Sequence, residues 1–161
     1  MAYMFTIIIL HVILLLMCTL VKSGETSTTL AEISEWKTYE QLLKDPHVTL
    51  IQYYSKTNKD CKNCEIFQAQ WKELQIELFK DVKFAQVDVD TEEGADTALR
   101  TGALTGIPHV RLQYHGTDYY SLMDEHITPN DQIIAMVKRE LDGHERGDNG
   151  MYLKKFESGD L

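Results

Sequence analysis

Residues 48–64 read Val48-Thr49-Leu50-Ile51-Gln52-Tyr53-Tyr54-Ser55-Lys56-Thr57-Asn58-Lys59-Asp60-Cys61-Lys62-Asn63-Cys64. The first seven are β-branched, aromatic and nearly continuously apolar, the pattern of a central strand covered on both faces. Ser55 to Asp60 forms a polar loop. From Cys61 to Phe79, the residues Ile66, Phe67, Ala69, Gln70, Leu74 and Leu78 recur mostly at three- and four-residue spacing with no Gly or Pro between, which predicts one helix of several turns. A C-x-x-C motif therefore sits at a strand–loop–helix junction, its first sulfur at a helix N-terminus. Unpaired backbone N–H groups and the positive end of the helix dipole favour a thiolate over a thiol there. Cys61 is expected to be the more acidic thiol and the nucleophile. Cys64, three residues on and on the same side of the helix, is placed to resolve a mixed disulfide formed on Cys61.

Outward from this stretch the pattern alternates. On the N-terminal side, Leu30 to Ile33 is a short strand, followed by a helix whose start is marked by Thr38 with Gln41 three residues later and whose end is marked by Asp45-Pro46. On the C-terminal side, Val82 to Val89 is a second strong strand and Ala95 to Thr101 a short helix stopped by Gly102. Pro108 introduces a strand from His109 to Tyr114, and His115-Gly116-Thr117-Asp118 turns it into Tyr119 to Met123. Thr128 as cap, Pro129 at the first helical position and Asp131 in the first turn open a last helix running to Leu141, with Gly143 beyond. The order is α/β in its first half with an antiparallel hairpin and helix to finish. Residues 143–161 are polar and Gly-containing and are expected to be a mobile tail.

The chain has 161 residues, about one domain's worth. A composition of 43% hydrophobic and 25% charged residues, with 9 Gly and 3 Pro, is that of an ordinary globular protein. The net charge of −9 provides no basic footprint for nucleic acid. From Phe5 to Val21 the chain is apolar except at Thr6, His11 and Thr19, and Lys22-Ser23-Gly24-Glu25 then turns abruptly polar. Val21 and Ser23 are small residues at the −3 and −1 positions of a cleavage site after Ser23, so residues 1–23 are expected to be a secretory signal peptide, the alternative being a retained signal anchor. Membrane contact is expected only in the second case. Cleavage there removes Cys18 and the cation Lys22, which makes the remaining 24–161 segment more acidic than the whole chain and leaves it Cys61 and Cys64 alone in an oxidising compartment.

Neither a structural nor a metal-binding role accounts as well for Cys61-Lys62-Asn63-Cys64. A purely structural disulfide would close a four-residue loop and remove little entropy from the unfolded chain. A zinc site needs about four ligands, and the segment after residue 23 has no second C-x-x-C and no H-x-x-x-H pair. No metal and no cofactor is therefore expected, since the dithiol is itself the redox group.

From about Leu30 to Leu141 the chain resembles the thioredoxin superfamily, and specifically the single catalytic domains of protein disulfide isomerases. The residues that carry the resemblance are Leu50 to Tyr54, the C-x-x-C, Trp71-Lys72-Glu73-Leu74, Phe84-Ala85-Gln86-Val87-Asp88, Gly106-Ile107-Pro108 before a strand, and Tyr114-His115-Gly116 at the hairpin. It implies a mixed central sheet flanked by helices across a 24–142 domain. It implies thiol–disulfide oxidoreductase chemistry at Cys61 and Cys64 on cysteine-containing polypeptides. It also implies a cis Ile107-Pro108 bond facing the dithiol, whose Ile107 backbone pairs with extended substrate; cis is accessible to an X-Pro bond. With the export segment, the expectation is a monomer in the endoplasmic reticulum lumen, or secreted. The final Ser158-Gly159-Asp160-Leu161 matches the Lys-Asp-Glu-Leu retention address in neither register nor charge, which leaves both locations open. The alternative is a non-catalytic client-binding module with a vestigial dithiol, its groove formed around Cys61, Ile107 and Tyr53 or Tyr54.

The chain also departs from the pattern. Asp60 stands where the family usually has Trp, Lys62-Asn63 replace Gly-His or Gly-Pro, and the loop from Ser55 is about three residues longer. Gln52 aligns with the family's buried carboxylate and Gln86 with the isomerases' Lys partner. Losing both charges is structurally coherent, whereas losing one would strand the other. The mobile Arg of the isomerases is absent, its place falling near His126-Ile127. His109 is either a substitute base or a partly buried polar residue at a strand start.

Overall fold

The structure is a computed structural model in which residues 30–103, 106–116, 118–124 and 126–156 are described. The export-segment expectation for 1–23 and the last residues lie outside this range. Among the described residues no helix is long and apolar enough to cross a membrane.

Five strands, β1 (Ala31–Ile33), β2 (Thr49–Tyr54), β3 (Lys83–Asp88), β4 (His109–His115) and β5 (Asp118–Asp124), form one sheet in the order β1-β3-β2-β4-β5. β1 and β2 pair parallel to β3, while β4 runs antiparallel to β2 and β5 antiparallel to β4. The mixed sheet expected from the sequence is thus present. Every residue of β2 is buried, because it lies at the centre with helices on both faces.

Side-chain alternation sorts the core into two halves. On one face Leu50, Phe84, Val110 and Leu112 meet Phe67, Trp71, Leu74 and Leu78 of α2 (Lys62–Leu78) and Ile133 and Val137 of α4 (Asn130–Glu140). Trp71 packs edge-on against Phe84 at 5.4 Å. On the other face Ile51, Tyr53, Ala85 and Val87 meet Tyr39 of α1 (Trp36–Lys44) and Ala98 of α3 (Glu92–Arg100).

Three helix starts differ from expectation. α1 begins at Trp36 with Glu35 as its cap and no side-chain cap bond, so Thr38 lies inside it; Trp36 stacks on Tyr39 at 5.3 Å, and burial of this aromatic face sets the start. α3 begins at Glu92, three residues before Ala95. Thr91 caps it by accepting from Gly94 N–H at 3.0 Å. Pro129 is the cap residue of α4, leaving Thr128 outside.

The tail is also corrected: through residue 156 it is bonded to the domain rather than free. Val48 N–H donates to Tyr152 O and Tyr152 N–H to Asp81 O, both at 2.9 Å, and Lys154 N–H donates to Pro46 O at 2.7 Å. Arg146 pairs with Asp81 at 2.7 Å, and the Lys154 ammonium caps the last carbonyls of α1. Partners this far away in sequence leave no periodic signal in a polar stretch.

Candidate functional site

The loop after β2 must return the chain to the top of α2, and it does so on a polar brace. Ser55 Oγ donates to Asp90 Oδ1 and Thr57 N–H to Asp90 Oδ2, both at 2.6 Å. Asn58 N–H donates to Ser55 Oγ at 2.9 Å, and Cys61 N–H to Asn58 O at 3.0 Å. The Ser55 hydroxyl, foremost among these donors, holds the Asp90 carboxyl below the usual carboxylate range. Asp90 is a supporting residue that sequence reasoning missed, since a brace between elements so far apart in the chain shows no spacing motif.

Cys61 occupies the cap position of α2, and its sulfur takes the capping acceptor's role, receiving Cys64 N–H at 3.3 Å. Cys61 and Cys64 are joined as a disulfide, with S–S 2.02 Å. Their environments differ: Cys61 is half-buried, whereas Cys64 is 3% exposed. Ile107–Pro108 is a cis peptide, and the Cys61 sulfur lies 3.5 Å from Ile107 O. The sequence-predicted site residues Cys61, Cys64, Ile107 and Pro108 are therefore brought together by α2 and the approach to β4.

Two clefts flank the disulfide. One, about 430 Å³, is lined by Asp60, Cys61, Lys62, Asn63, Ile107 and His126. The other, about 570 Å³, has Cys64, Gln68, Gln86, Tyr54, Glu32 and Lys56 among its lining residues. Lys56 is engaged there in ion pairs: its ammonium lies 3.1 Å from Glu32 and 3.3 Å from Asp88. Hydrogen bonding, first to Tyr54, raises its pKa.

Gln52 and Gln86 are direct register partners on β2 and β3, and Gln86 Nε2 donates to Gln52 Oε1 at 2.6 Å. Two neutral carboxamides are thus joined by a direct amide–amide bond. Gln52 is fully buried.

His109 is not brought to the dithiol. It is buried, its Nε2 accepts from Arg111 Nε at 2.7 Å, and its ring packs edge-on to Tyr53 at 5.8 Å. Tyr53 belongs to the core half covered by α1 and α3, the face opposite α2. The substitute-base role is therefore overturned; His109 is a polar residue at a strand start, and it is fully rather than partly buried. Tyr53 is itself fully buried and cannot line a client groove, whereas Tyr54 does line the larger cleft.

A family model described as Thioredoxin matches residues 30–139. No curated protein matches the chain. Among solved structures, mitochondrial thioredoxin 3 from Saccharomyces cerevisiae in its oxidised form is similar at 22% identity and TM-score 0.54, covering 71% of this chain and 96% of that one. Chloroplastic thioredoxin z is similar at 18% identity and TM-score 0.57, with the same two coverages, 71% and 96%. The J-Trx1 fragment of ERdj5 is similar at 12% identity and TM-score 0.54, covering 69% of this chain and 51% of that one. At these identities the likeness is one of fold.

Proposed function

Because the chain belongs to the thioredoxin family, with the matched residues enclosing the dithiol, we propose that it is a thiol–disulfide oxidoreductase acting on cysteine-containing polypeptides in the manner of a protein disulfide isomerase. The observation that supports this most is the asymmetry of the pair: a half-buried Cys61 at a helix N-terminus beside Ile107, with a buried Cys64 bonded behind it.

In the reducing direction, the Cys61 thiolate attacks a client disulfide, forming a Cys61–client bond and releasing one client thiolate. Cys64, having lost its proton to solvent, then attacks the Cys61 sulfur, restoring the internal disulfide and releasing the second client thiolate. Two electrons pass from the dithiol to the client, and the released thiolates take up protons from solvent. The oxidising direction is the reverse. Ile107 backbone groups would align an extended client segment across Cys61. The apolar run of residues 5–21 supports work in the endoplasmic reticulum lumen or outside the cell.

The test is turnover in insulin reduction and in refolding of a reduced, disulfide-containing protein. Wild-type activity that is abolished by Cys61→Ser is the expected result. Activity unchanged in Cys61→Ser, or none in the wild type, would leave the client-binding module instead.

A further inference from the structure

Buried donors in folded proteins nearly always have an acceptor, so an orphan calls for a reason. Gln52 Nε2 is such an orphan: the residue is fully buried, and this nitrogen has no hydrogen-bond partner among the described residues. Its carboxamide is not free to turn away, because Oε1 is held at 2.6 Å by Gln86 Nε2.

The fold fixes what lies above it. α2 runs back over β2 and β3, and Trp71 packs on Phe84, the register partner of Leu50. Gln52 and Gln86 are one inward-facing step further along these strands, about 7 Å. One to two turns toward the helix start from Trp71 come Phe67 and Cys64, the next buried side chains of α2. Cys64 and Gln86 line the same cleft. The amide pair therefore lies under the first turns of α2, on the side where the Cys64 sulfur is buried.

We propose that Gln52 Nε2 is the hydrogen-bond donor that receives the Cys64 thiolate when the disulfide is open. The inference rests on the oxidoreductase reading and adds a residue to it. A disulfide sulfur is a weak acceptor, so the donor is orphaned in the oxidised state. When the Cys61–Cys64 bond is reduced, Cys64 carries a thiol whose proton leaves to solvent through the larger cleft, which that residue lines, and the sulfur that remains is an anion on a residue only 3% exposed. An N–H donor there favours the charged form. A neutral amide cannot take the proton, as a carboxylate at this position could; it stabilises the deprotonated sulfur instead. Gln86 is the positioning residue that orients the amide.

The experiment uses the full chain carrying Cys18→Ser and Cys61→Ser, in which Cys64 is the one thiol left of three. Thiolate absorbance gives its titration midpoint, and proton–nitrogen NMR follows the Gln52 side-chain amide through the same pH range. The expected result is an amide resonance that titrates with the Cys64 midpoint, and a midpoint about one unit higher in Gln52→Leu. Gln52→Glu, close to isosteric, serves should the Leu variant fail to fold; it too is expected to raise the midpoint, by replacing a donor with an acceptor. A Gln52 amide signal that stays flat while Cys64 titrates, or a midpoint unmoved in a folded variant, would overturn the proposal. Neither readout involves turnover. Loss of the oxidoreductase reading would appear in the Cys61→Ser activity assay, and loss of this one in the titration.

Discussion

Lys154 is buried in the domain, with only 6% of its surface exposed, and its ammonium donates to Leu42 O at 2.8 Å and Leu43 O at 3.2 Å in the last turn of α1. Burial, opposed by Asp45 and reinforced by Lys83, pushes its pKa down from 10.5 to about 8. Below pH 8 both folded and unfolded chains hold this proton, and stability does not depend on it. Between about 8 and 10.5 the folded chain has released a proton that the unfolded chain keeps, so stability rises with pH across that window. At about 1.4 kcal/mol per pH unit, the ceiling on the rise is about 3 kcal/mol. Lys154→Met removes this titration and leaves two carbonyls without their donor, a pH-independent loss of about 1–3 kcal/mol. Burial also holds the Tyr39, Tyr53 and Tyr54 hydroxyls above the ordinary tyrosine range. The stability they contribute falls away above about pH 10, but equally in both proteins, so the difference between the proteins isolates the lysine. Urea unfolding followed by the fluorescence of buried Trp71 at pH 7, 8, 9 and 10 measures it. With a denaturant slope of about 1–3 kcal/mol/M, the wild-type midpoint should gain on the variant by about 1–2 M from pH 8 to 10. A separation of midpoints that is constant over all four pH values would refute the reasoning.

Three further outcomes are expected. Gly94→Ala replaces a poor helix former and would gain about 1 kcal/mol on propensity alone, yet its Cβ would lie 2.0 Å from the Asp88 carbonyl oxygen and 2.8 Å from the capping Thr91 Oγ1. A net loss of about 1–3 kcal/mol in urea unfolding is expected, and a gain would show that the backbone yields. Arg111 donates to His109 and to Thr101 O, with its guanidinium 3.9 Å from the Tyr119 ring and 5.6 Å from that of Tyr53. Arg111→Lys keeps the charge but not the planar fork, and should lower stability by about 2–4 kcal/mol on thermal unfolding; a change under about 0.5 kcal/mol would contradict the role given to the fork. His109→Ala should leave thiol–disulfide exchange rates unchanged from pH 6 to 8, and a reshaped pH profile would put His109 back at the dithiol.

Local chemistry that repeats along the chain was legible in the sequence. Thr49 to Tyr54 declares a buried central strand because successive residues face opposite sides of the sheet and all but Gln52 are aliphatic, aromatic or β-branched. α2 was legible from its spacing, and Cys61 at its cap from the junction. Helix starts governed by packing were not. Thr38 and Thr128 look like caps, but burying Trp36 with Tyr39 and the fixed backbone of Pro129 decide where the turns begin. Of the site, the dithiol and Ile107-Pro108 were found by motif and resemblance. The Asp90 brace was invisible because its partners are brought together only by the β2–β3 pairing.

The sequence by itself determined the alternation of elements and the redox-capable dithiol at a strand–loop–helix junction. These are properties of neighbours in the chain, or of pattern along it. Only the tertiary structure decided that His109 faces away from the dithiol, that the polar tail is bonded to the domain through Lys154, and that the buried Gln52 Nε2 has no hydrogen-bond partner among the described residues. Which face a strand residue takes, and which distant group lies opposite it, depend on register across strands and on the helices that cover each side. The sum over those long-range contacts is made when the sheet closes.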